Sequence, residues 1–317
     1  MIPDLVARFL EGDRRALARL LTLVERGPED LPSVVGAVHA HTGRTYTIGV
    51  TGPPGAGKST LVDGFVDVLR GHENTVGVLA VDPSSPFTGG AVLGDRIRMQ
   101  RHYLDDSVFI RSIATRGSHG GLSAVAGASV RLLDAFGFDY VLVETVGVGQ
   151  TELDVVKIAD TVVVATVPEA GDTVQTIKAG LMEIGDIFVV NKSDRDGAKR
   201  LAATIRGALR LGHGDDWWSI PVLLTQADEG LGLDALYASV LAHREALEST
   251  TNLQARRRRR QLDEFNALVT DAVRVKVNGL IEQDAELAAI SDRVGRGELD
   301  PYTAAGKATK ETRLFEA

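Results

Sequence analysis

The chain has 317 residues, 44% of them hydrophobic, and its 35 basic and 43 acidic side chains give a formal net charge of −8. This balance argues against a general nucleic-acid-binding protein, and the absence of cysteine excludes disulfides, thiolate zinc sites and cysteine nucleophiles. Because no apolar stretch is long enough to cross a bilayer and the first residues lack an export signal, we expect a cytoplasmic protein without membrane insertion.

The first predicted element is an N-terminal helical arm, assigned to residues 1–43. From Leu5 to Val24 the apolar residues recur at roughly helical spacing, with one interruption at Gly12. After this arm the pattern changes to short β-branched runs. We therefore expect a larger domain over residues 44–250.

A phosphate-loop motif follows the first apolar run, residues 46–50. Residues 52–59 read Gly-Pro-Pro-Gly-Ala-Gly-Lys-Ser, in which glycines let backbone N–H groups face phosphate oxygens. Lys58 offers a cation to the β- and γ-phosphates, and Ser59 offers a hydroxyl to Mg²⁺. The alternative is a glycine-rich turn with an exposed lysine, but the strand before and the helix after favour a nucleotide site. The predicted nucleotide-binding residues here are Gly52, Pro53, Pro54, Gly55, Ala56, Gly57, Lys58, Ser59 and Thr60.

Short β-branched runs alternate with longer amphipathic segments from residue 46 onward, which predicts a mostly parallel sheet. The predicted strands are residues 46–50, 76–81, 108–110, 140–144, 161–167, 187–191 and 220–224. The fold class is therefore α/β, a P-loop NTPase with a mostly parallel central sheet flanked by helices and with N-terminal and C-terminal helical arms. Ligands of such sheets collect at the carboxyl ends of the strands.

Two further strand ends carry acidic residues. In P-loop enzymes an acid in this position reaches Mg²⁺ and a glycine N–H contacts the γ-phosphate, roles that fit Glu144 and Gly147. Asp82 follows another strand, although a turn residue before Pro83 is the alternative reading. The candidate metal ligands are Ser59, Asp82, Asp95 and Glu144.

Hydrolysis requires an oriented water molecule and stabilised phosphate charge. In Ras-like proteins a glutamine directly follows the switch glycine, whereas here Val148 holds that place and Gln150 comes two residues later. We therefore predict slow turnover in the absence of a partner. The candidate catalytic residues are Lys58, Glu144, Gly147 and Gln150.

The sequence Asn-Lys-Ser-Asp at residues 191–194 ends a predicted strand and selects guanine over adenine. The Asp194 carboxylate can accept hydrogen bonds from N1–H and the exocyclic amine of guanine, and adenine offers no donor at N1. Taken alone, these residues could instead cap the following helix. Residues 225–227 partly match a Ser-Ala loop that contacts the base through backbone N–H groups. The predicted base-site residues are Asn191, Lys192, Asp194, Thr225, Gln226 and Ala227, with GTP and GDP as ligands.

The last segment, residues 251–317, is predicted to be a C-terminal helical arm. It begins with a basic run over residues 256–260, which favours a solvated helix face over a docking patch. An apolar stripe that includes Phe265 follows, and a second helix is expected over residues 281–294. Since neither helix can bury its stripe alone, it packs on the sheet domain or on another subunit, and we favour a homodimer.

Together these motifs resemble one family closely, the methylmalonyl-CoA mutase-associated GTPases of the MeaB and ArgK type. The resemblance runs from the N-terminal arm to about residue 255 and is carried by residues 52–60, 81–85, 93–96, 114–117, 144–150, 171–180 and 191–194.

The resemblance implies a dimeric GTPase of the metallochaperone class that docks on an adenosylcobalamin-dependent methylmalonyl-CoA mutase. GTP binding and hydrolysis would gate cofactor loading and protect the mutase from inactivation. The switch regions implied are residues 82–99, 144–150 and 167–178, and the C-terminal arm would make the dimer. The chain departs from the family pattern at Glu169 and in the Thr-Gln-Ala sequence of residues 225–227.

Three other functions compete with this reading. An ATP-using kinase accessory to a lysine/arginine/ornithine transport system conflicts with the guanine-selective residues 191–194. A nickel-delivery GTPase would be expected to carry histidine-rich tails or cysteine pairs, neither of which occurs. A binding module with a dead nucleotide site is hard to reconcile with intact Lys58 and Ser59.

Overall fold

The computed structural model describes residues 2–27, 30–83, 99–115, 121–145, 151–168, 180–211 and 217–310. Within these residues, seven strands form one parallel sheet: β1 (Tyr46–Thr51), β2 (Val76–Pro83), β3 (Val108–Thr115), β4 (Tyr140–Glu144), β5 (Thr161–Thr166), β6 (Ile187–Val190) and β7 (Val222–Leu224). Their spatial order is β3-β2-β4-β1-β5-β6-β7, so β1 is central. The predicted α/β fold with a parallel sheet is confirmed.

The described helices are α1 (Ile2–Leu10), α2 (Arg14–Arg26), α3 (Leu31–Val38), α4 (Lys58–Gly71), α5 (Gly121–Phe136), α6 (Thr151–Asp154), α7 (Met182–Ile184), α8 (Ala198–Leu211), α9 (Leu233–Ser249), α10 (Asn252–Gln283), α11 (Ala285–Gly295) and α12 (Pro301–Lys310), with 3₁₀ turns at His39–His41, Gln100–His102 and Val155–Lys157. None of the helices in the described ranges is both long and apolar enough to cross a bilayer.

Helices cover both faces of the sheet, which explains why its strands are apolar on both sides. On one face, Phe65 of α4 shares a core with Ile48 of β1. On the other face, Leu133 of α5 and Leu17 of α2 share a second core with Leu79 of β2. All five side chains are at most 2% exposed, and burying each contributes about 1.5–3 kcal/mol. The central strand is thereby held between two packed layers.

The N-terminal helices pack against α5, and α2 is also bonded to the edge strand β3. Helix α2 begins where the Asp13 carboxylate accepts hydrogen bonds from the N–H groups of Arg15 (2.7 Å) and Ala16 (3.2 Å). From β3, Arg111 forms a bidentate ion pair with Glu25 of α2 at 2.8 and 2.9 Å. This ion pair connects α2 to the edge strand of the sheet.

The chain forms two compact units, residues 1–260 and 261–317. In the second unit the Asp284 carboxylate accepts from the N–H groups of Glu286 (2.9 Å) and Leu287 (3.1 Å) and caps α11. The second C-terminal helix therefore begins at Ala285, and the predicted start at residue 281 is wrong. The apolar periodicity continues through the end of α10 and hides the break at Asp284.

Three arginines of the basic run bind two buried carboxylates of the sheet, and we call this group the arginine clamp. Arg257 contacts Asp160 in a bidentate pair at 2.6 and 3.1 Å, Arg260 contacts the same carboxylate, and Arg256 Nη1 lies 3.1 Å from Asp186 Oδ1. Asp160 and Asp186 directly precede β5 and β6. The basic run is thus partly buried at the sheet and is more than a solvated helix face.

The clamp arginines together with His243 determine the charge state of the two carboxylates. Burial alone would raise the pKa of Asp160, which is 2% exposed, but the hydrogen bond from Arg257 and the charge of Arg260 lower that pKa below its ordinary value. Burial likewise opposes ionisation of Asp186, and His243 and Arg256 lower its pKa further than burial raises it. Both carboxylates are therefore ionised at neutral pH.

We predict that Asp160→Asn lowers the free energy of unfolding at pH 7 by about 3 kcal/mol, because it leaves two partly buried guanidinium groups without their counterion. A lowered folded-state pKa stabilises the protein above the ordinary aspartate value, about 3.9, and that stabilisation is lost as the pH falls through the folded-state pKa. The difference between wild type and variant should therefore shrink below about pH 4.

Urea unfolding at pH 7, 5 and 3 measures this difference. Asp271→Asn is the matched control, because Asp271 pairs with Arg274 on an exposed helix face and should change stability by about 0.5 kcal/mol or less. A deficit of Asp160→Asn that stays constant across the three pH values would contradict the assignment.

Candidate functional site

The phosphate loop lies between the central strand β1 and helix α4. Gly52 has φ 137° and a Cβ added to it would lie 1.9 Å from the backbone oxygen of Ala165 in β5, so only glycine fits. Gly57 has φ 77° and directly precedes α4. Pro54 and Thr60 are exposed, whereas the loop residues nearest the sheet are buried. The loop therefore opens the N-terminus of α4 to solvent, where unpaired N–H groups favour an anion.

Lys58 lies inside this loop. Its side chain is buried, and Nζ donates to Gly52 O at 2.8 Å and to Pro53 O at 3.1 Å. Both acceptors are neutral carbonyls, whereas a phosphate oxygen carries a negative charge that adds Coulombic attraction to the hydrogen bond from the ammonium group. The lysine is therefore positioned beside the site where phosphate oxygens would compete successfully for it.

Ser59 and Glu144 are brought together from the first turn of α4 and the end of β4. Ser59 Oγ donates to Glu144 Oε1 over 2.6 Å, and both side chains are buried. Hydroxyl and carboxylate oxygens are the ligands that Mg²⁺ prefers, and the ion usually keeps several waters. The described residues contain no set of three or more acidic or histidine side chains that could bind a metal by themselves. This donor set suits an ion that takes its other ligands from phosphates and water.

Four predicted site residues lie wholly or partly outside the described part of the structure. The backbone of Asp82 pairs with that of Ala114 near the end of β2, but its side chain is outside the described part of the structure. Asp95, Gly147 and Gln150 lie outside the described residues. Their predicted roles at the metal, the γ-phosphate and the water remain predictions.

Asn191 joins the base-site sequence to the phosphate loop. Its Nδ2 donates to Ala56 O at 3.1 Å, and its Oδ1 accepts from Thr225 Oγ1 and from the N–H of Ala227, each at 3.1 Å. The side chain is 2% exposed, so these bonds form away from water. Three predicted segments thus meet at one amide group.

Lys192 and Asp194 occupy the rim of the same site. Lys192 has φ 52°, and its Nζ donates to Gly55 O at 3.1 Å across the loop. Asp194 is exposed in the turn that follows, where its carboxylate is accessible to a ligand. Gln226 pairs with Leu231 through both backbone groups, which fixes the turn after β7. The structure therefore places every described residue predicted for the base at the carboxyl edge of the sheet.

The sequence did not point to two threonines at this edge. Thr145 Oγ1 donates to Thr51 Oγ1 over 2.9 Å, and both side chains are buried. Each is adjacent to a predicted site residue, but a threonine beside a motif is common in β-strands and carries no signal of its own. Only the pairing of β1 with β4 brings them into contact.

Comparisons with known proteins agree with this geometry. The family model described as methylmalonyl Co-A mutase-associated GTPase MeaB matches residues 17–281. A putative GTPase of Pyrococcus abyssi is 49% identical over 315 residues, which are 98% of this chain and 97% of that protein. The methylmalonic aciduria type A homolog of Mus musculus, a mitochondrial protein, is 34% identical over 274 residues, covering 81% of this chain and 66% of the relative. A crystal structure of a LAO/AO transport system kinase superposes with a TM-score of 0.75 at 28% identity, covering 98% of this chain and 97% of its own.

Proposed function

The chain belongs to the family of methylmalonyl-CoA mutase-associated GTPases of the MeaB type, and we propose that it is a Mg²⁺-dependent switch that chaperones an adenosylcobalamin-dependent methylmalonyl-CoA mutase. The family resemblance read from the motifs is confirmed. As a member, the protein is a GTPase that binds guanine nucleotides. The metal, the roles of individual residues, the partner and the dimer are the parts that we propose.

The observation that carries the proposal is the direct contact between the phosphate loop and the base-site sequence. Asn191 and Lys192 donate to the carbonyls of Ala56 and Gly55, so the segments proposed to bind phosphate and base are in direct contact. A single nucleoside diphosphate or triphosphate can span the two adjoining segments. Asp194 at its rim would accept hydrogen bonds from guanine N1–H and the exocyclic amine.

At the phosphate end, Lys58 would exchange its carbonyl acceptors for phosphate oxygens, and the loop N–H groups would hold the β-phosphate. Ser59 and Glu144 would hold Mg²⁺, directly or through water, with Asp82 and Asp95 as further candidates. The bound ion would neutralise charge on the phosphate oxygens. Gly147 N–H would contact the γ-phosphate, and Gln150 would orient water.

At the base end, the loop of Thr225, Gln226 and Ala227 is the proposed neighbour of the guanine ring. The N–H of Ala227 already donates to Asn191 Oδ1, so this loop holds the Asn191 amide in place. A second function, an ATP-using kinase accessory to lysine/arginine/ornithine transport, is suggested by the description of the LAO/AO transport system kinase structure. It would require the Asp194 site to accept adenine, which presents no donor at N1.

We predict that GDP binds more tightly than ADP and that Asp194→Asn weakens GDP binding about 100-fold, because hydrogen bonds to a charged acceptor are lost. The amide of the variant can donate where the carboxylate could only accept, so xanthosine diphosphate, which has a carbonyl in place of the exocyclic amine, should bind the variant better than the wild type.

Isothermal titration calorimetry in Mg²⁺ buffer measures these affinities. Asp196→Asn is the matched control, because Asp196 is exposed in the same turn and is not assigned to the base. Tighter binding of ADP than of GDP by the wild type would overturn the guanine assignment and favour the kinase.

The partner is proposed from the family, whose description names methylmalonyl-CoA mutase. We predict that the protein alone hydrolyses GTP well below the median enzyme rate of about 10 per second, and that adding a purified adenosylcobalamin-dependent methylmalonyl-CoA mutase raises the rate. The two proteins should co-elute in gel filtration with a nonhydrolysable GTP analogue.

Lys58→Ala serves as the control, because loss of the loop cation should abolish nucleotide-dependent co-elution. Turnover of the isolated protein at tens per second would contradict the slow-switch reading. Failure to co-elute with the mutase under any nucleotide condition would contradict the chaperone role.

The homodimer is proposed from an exposed apolar stripe on α10. The stripe residues are Leu262, Phe265, Leu268, Val269 and Val273, each between 46% and 61% exposed. Contiguous apolar surface of this kind marks an interaction site, and a second copy of the same helix offers a self-complementary partner.

Light scattering should therefore give the mass of a dimer for the wild type and of a monomer for Phe265→Glu, because a buried unpaired carboxylate opposes association. Asn266→Glu, a neighbouring exposed change outside the apolar stripe, should leave the dimer intact. A wild-type protein that is monomeric at all concentrations would contradict the proposal.

A further inference from the structure

Two buried threonines lie between the phosphate loop and Glu144. Thr51 ends β1 directly before Gly52, and Thr145 directly follows Glu144, the last residue of β4. Thr145 Oγ1 donates to Thr51 Oγ1 over 2.9 Å, and the N–H of Thr145 donates to Val50 O over 3.0 Å. Both threonines are at most 1% exposed. We call the contact between the two hydroxyls the hydroxyl bridge.

The hydroxyl bridge closes a ring of hydrogen bonds around the phosphate and metal end of the site. The ring consists of three pairs of adjacent residues, at positions 51–52, 58–59 and 144–145. Three hydrogen bonds join these pairs: Lys58 to Gly52, Ser59 to Glu144 and Thr145 to Thr51. The first two bonds involve side chains proposed to bind phosphate and Mg²⁺, so a bound nucleotide would compete for them. The hydroxyl bridge is formed by two groups that are not proposed to bind phosphate or Mg²⁺, so nucleotide binding does not require it to break.

We infer that the hydroxyl bridge is a positioning element that holds Glu144 at metal-binding distance from Ser59, an inference that rests on the proposed Mg²⁺ site. The regular ladder between β1 and β4 pairs Val50 with Glu144, its last matched residue. Beyond that point, the bonds that connect Thr145 to other described residues are one backbone bond and the bridge. Metal ligands must be held to within about 0.5 Å, and a buried bond next to the carboxylate provides that restraint.

A third buried threonine, Thr166, provides a control that separates an effect on the position of Glu144 from a general loss of stability. Thr166 ends β5 at the same edge and is 0% exposed, but its Oγ1 has no hydrogen-bond partner among the described residues. Thr166→Val therefore removes a buried hydroxyl at this edge without breaking a bridge. Thr145→Val and Thr51→Val make the same chemical change and break it.

The experiment measures the Mg²⁺ concentration that gives half-maximal GTP hydrolysis by the full chain. We expect Thr145→Val and Thr51→Val each to raise this concentration about tenfold, the lower end of the range for groups that orient metal ligands. GDP affinity measured in EDTA should stay at the wild-type value. Thr145→Ser should restore wild-type behaviour because it keeps the hydroxyl. The double valine variant should be no worse than Thr51→Val alone, because that change has already removed the bridge.

Three results would overturn the inference. They are an unchanged Mg²⁺ dependence for Thr145→Val, an equal shift for Thr166→Val, and additive effects of the two bridge variants. A wild-type protein whose GTP hydrolysis does not depend on Mg²⁺ would instead refute the proposed metal site, and the inference with it. If hydrolysis by the wild type depends on Mg²⁺ and the Mg²⁺ dependence of Thr145→Val is unchanged, the inference is refuted and the proposed metal site is not.

Discussion

The carbonyls of the phosphate loop are held by side chains, and the site depends on this restraint. Asn191 binds the carbonyl of Ala56, and Lys192 binds that of Gly55. The C=O and N–H groups of a trans peptide unit point in opposite directions, so the N–H of Gly57 is turned away from Asn191. The residues proposed for the base site therefore also orient a backbone donor at the start of α4, where an anion is favoured. A loop rich in glycine would otherwise have many conformations of similar energy, and these bonds select one.

Strands β5 and β6 are held at both of their ends. At their carboxyl ends β5 and β6 meet the phosphate loop and Asn191, and at their starts Asp160 and Asp186 are bound by the arginine clamp. Two buried carboxylates are costly unless they are paired, and the paired guanidinium groups come from the start of α10. The first residues of α10, up to Arg260, are thus linked to strands that border the proposed nucleotide site.

The phosphate end and the base end of the site carry different information. Lys58, Ser59 and the glycines are what any enzyme of this fold needs to hold nucleotide phosphates, so they do not separate a GTPase from a kinase. The proposed discrimination rests on Asn191, which is buried and bonded within the protein, and on Asp194, which is exposed to solvent. This division of roles agrees with membership in a GTPase family. No residue in the described part of the site specifically supports the transport-kinase function.

The sequence by itself determined the family, the seven strands, the phosphate loop and the base-site motif, because strand periodicity and these motifs are local patterns. It also indicated Ser59 and Glu144 as partners, since both stand where parallel strands place ligands. Only the tertiary structure decided which distant groups meet. Asn191 and Ala56 are 135 residues apart, Arg257 and Asp160 are 97 apart, and Thr51 and Thr145 are 94 apart. Those contacts follow from the order of the strands in the sheet and from burial, because a buried charge or hydroxyl needs a hydrogen-bond partner. Neither the strand order nor the burial of a given residue can be read from the spacing of residues in the sequence.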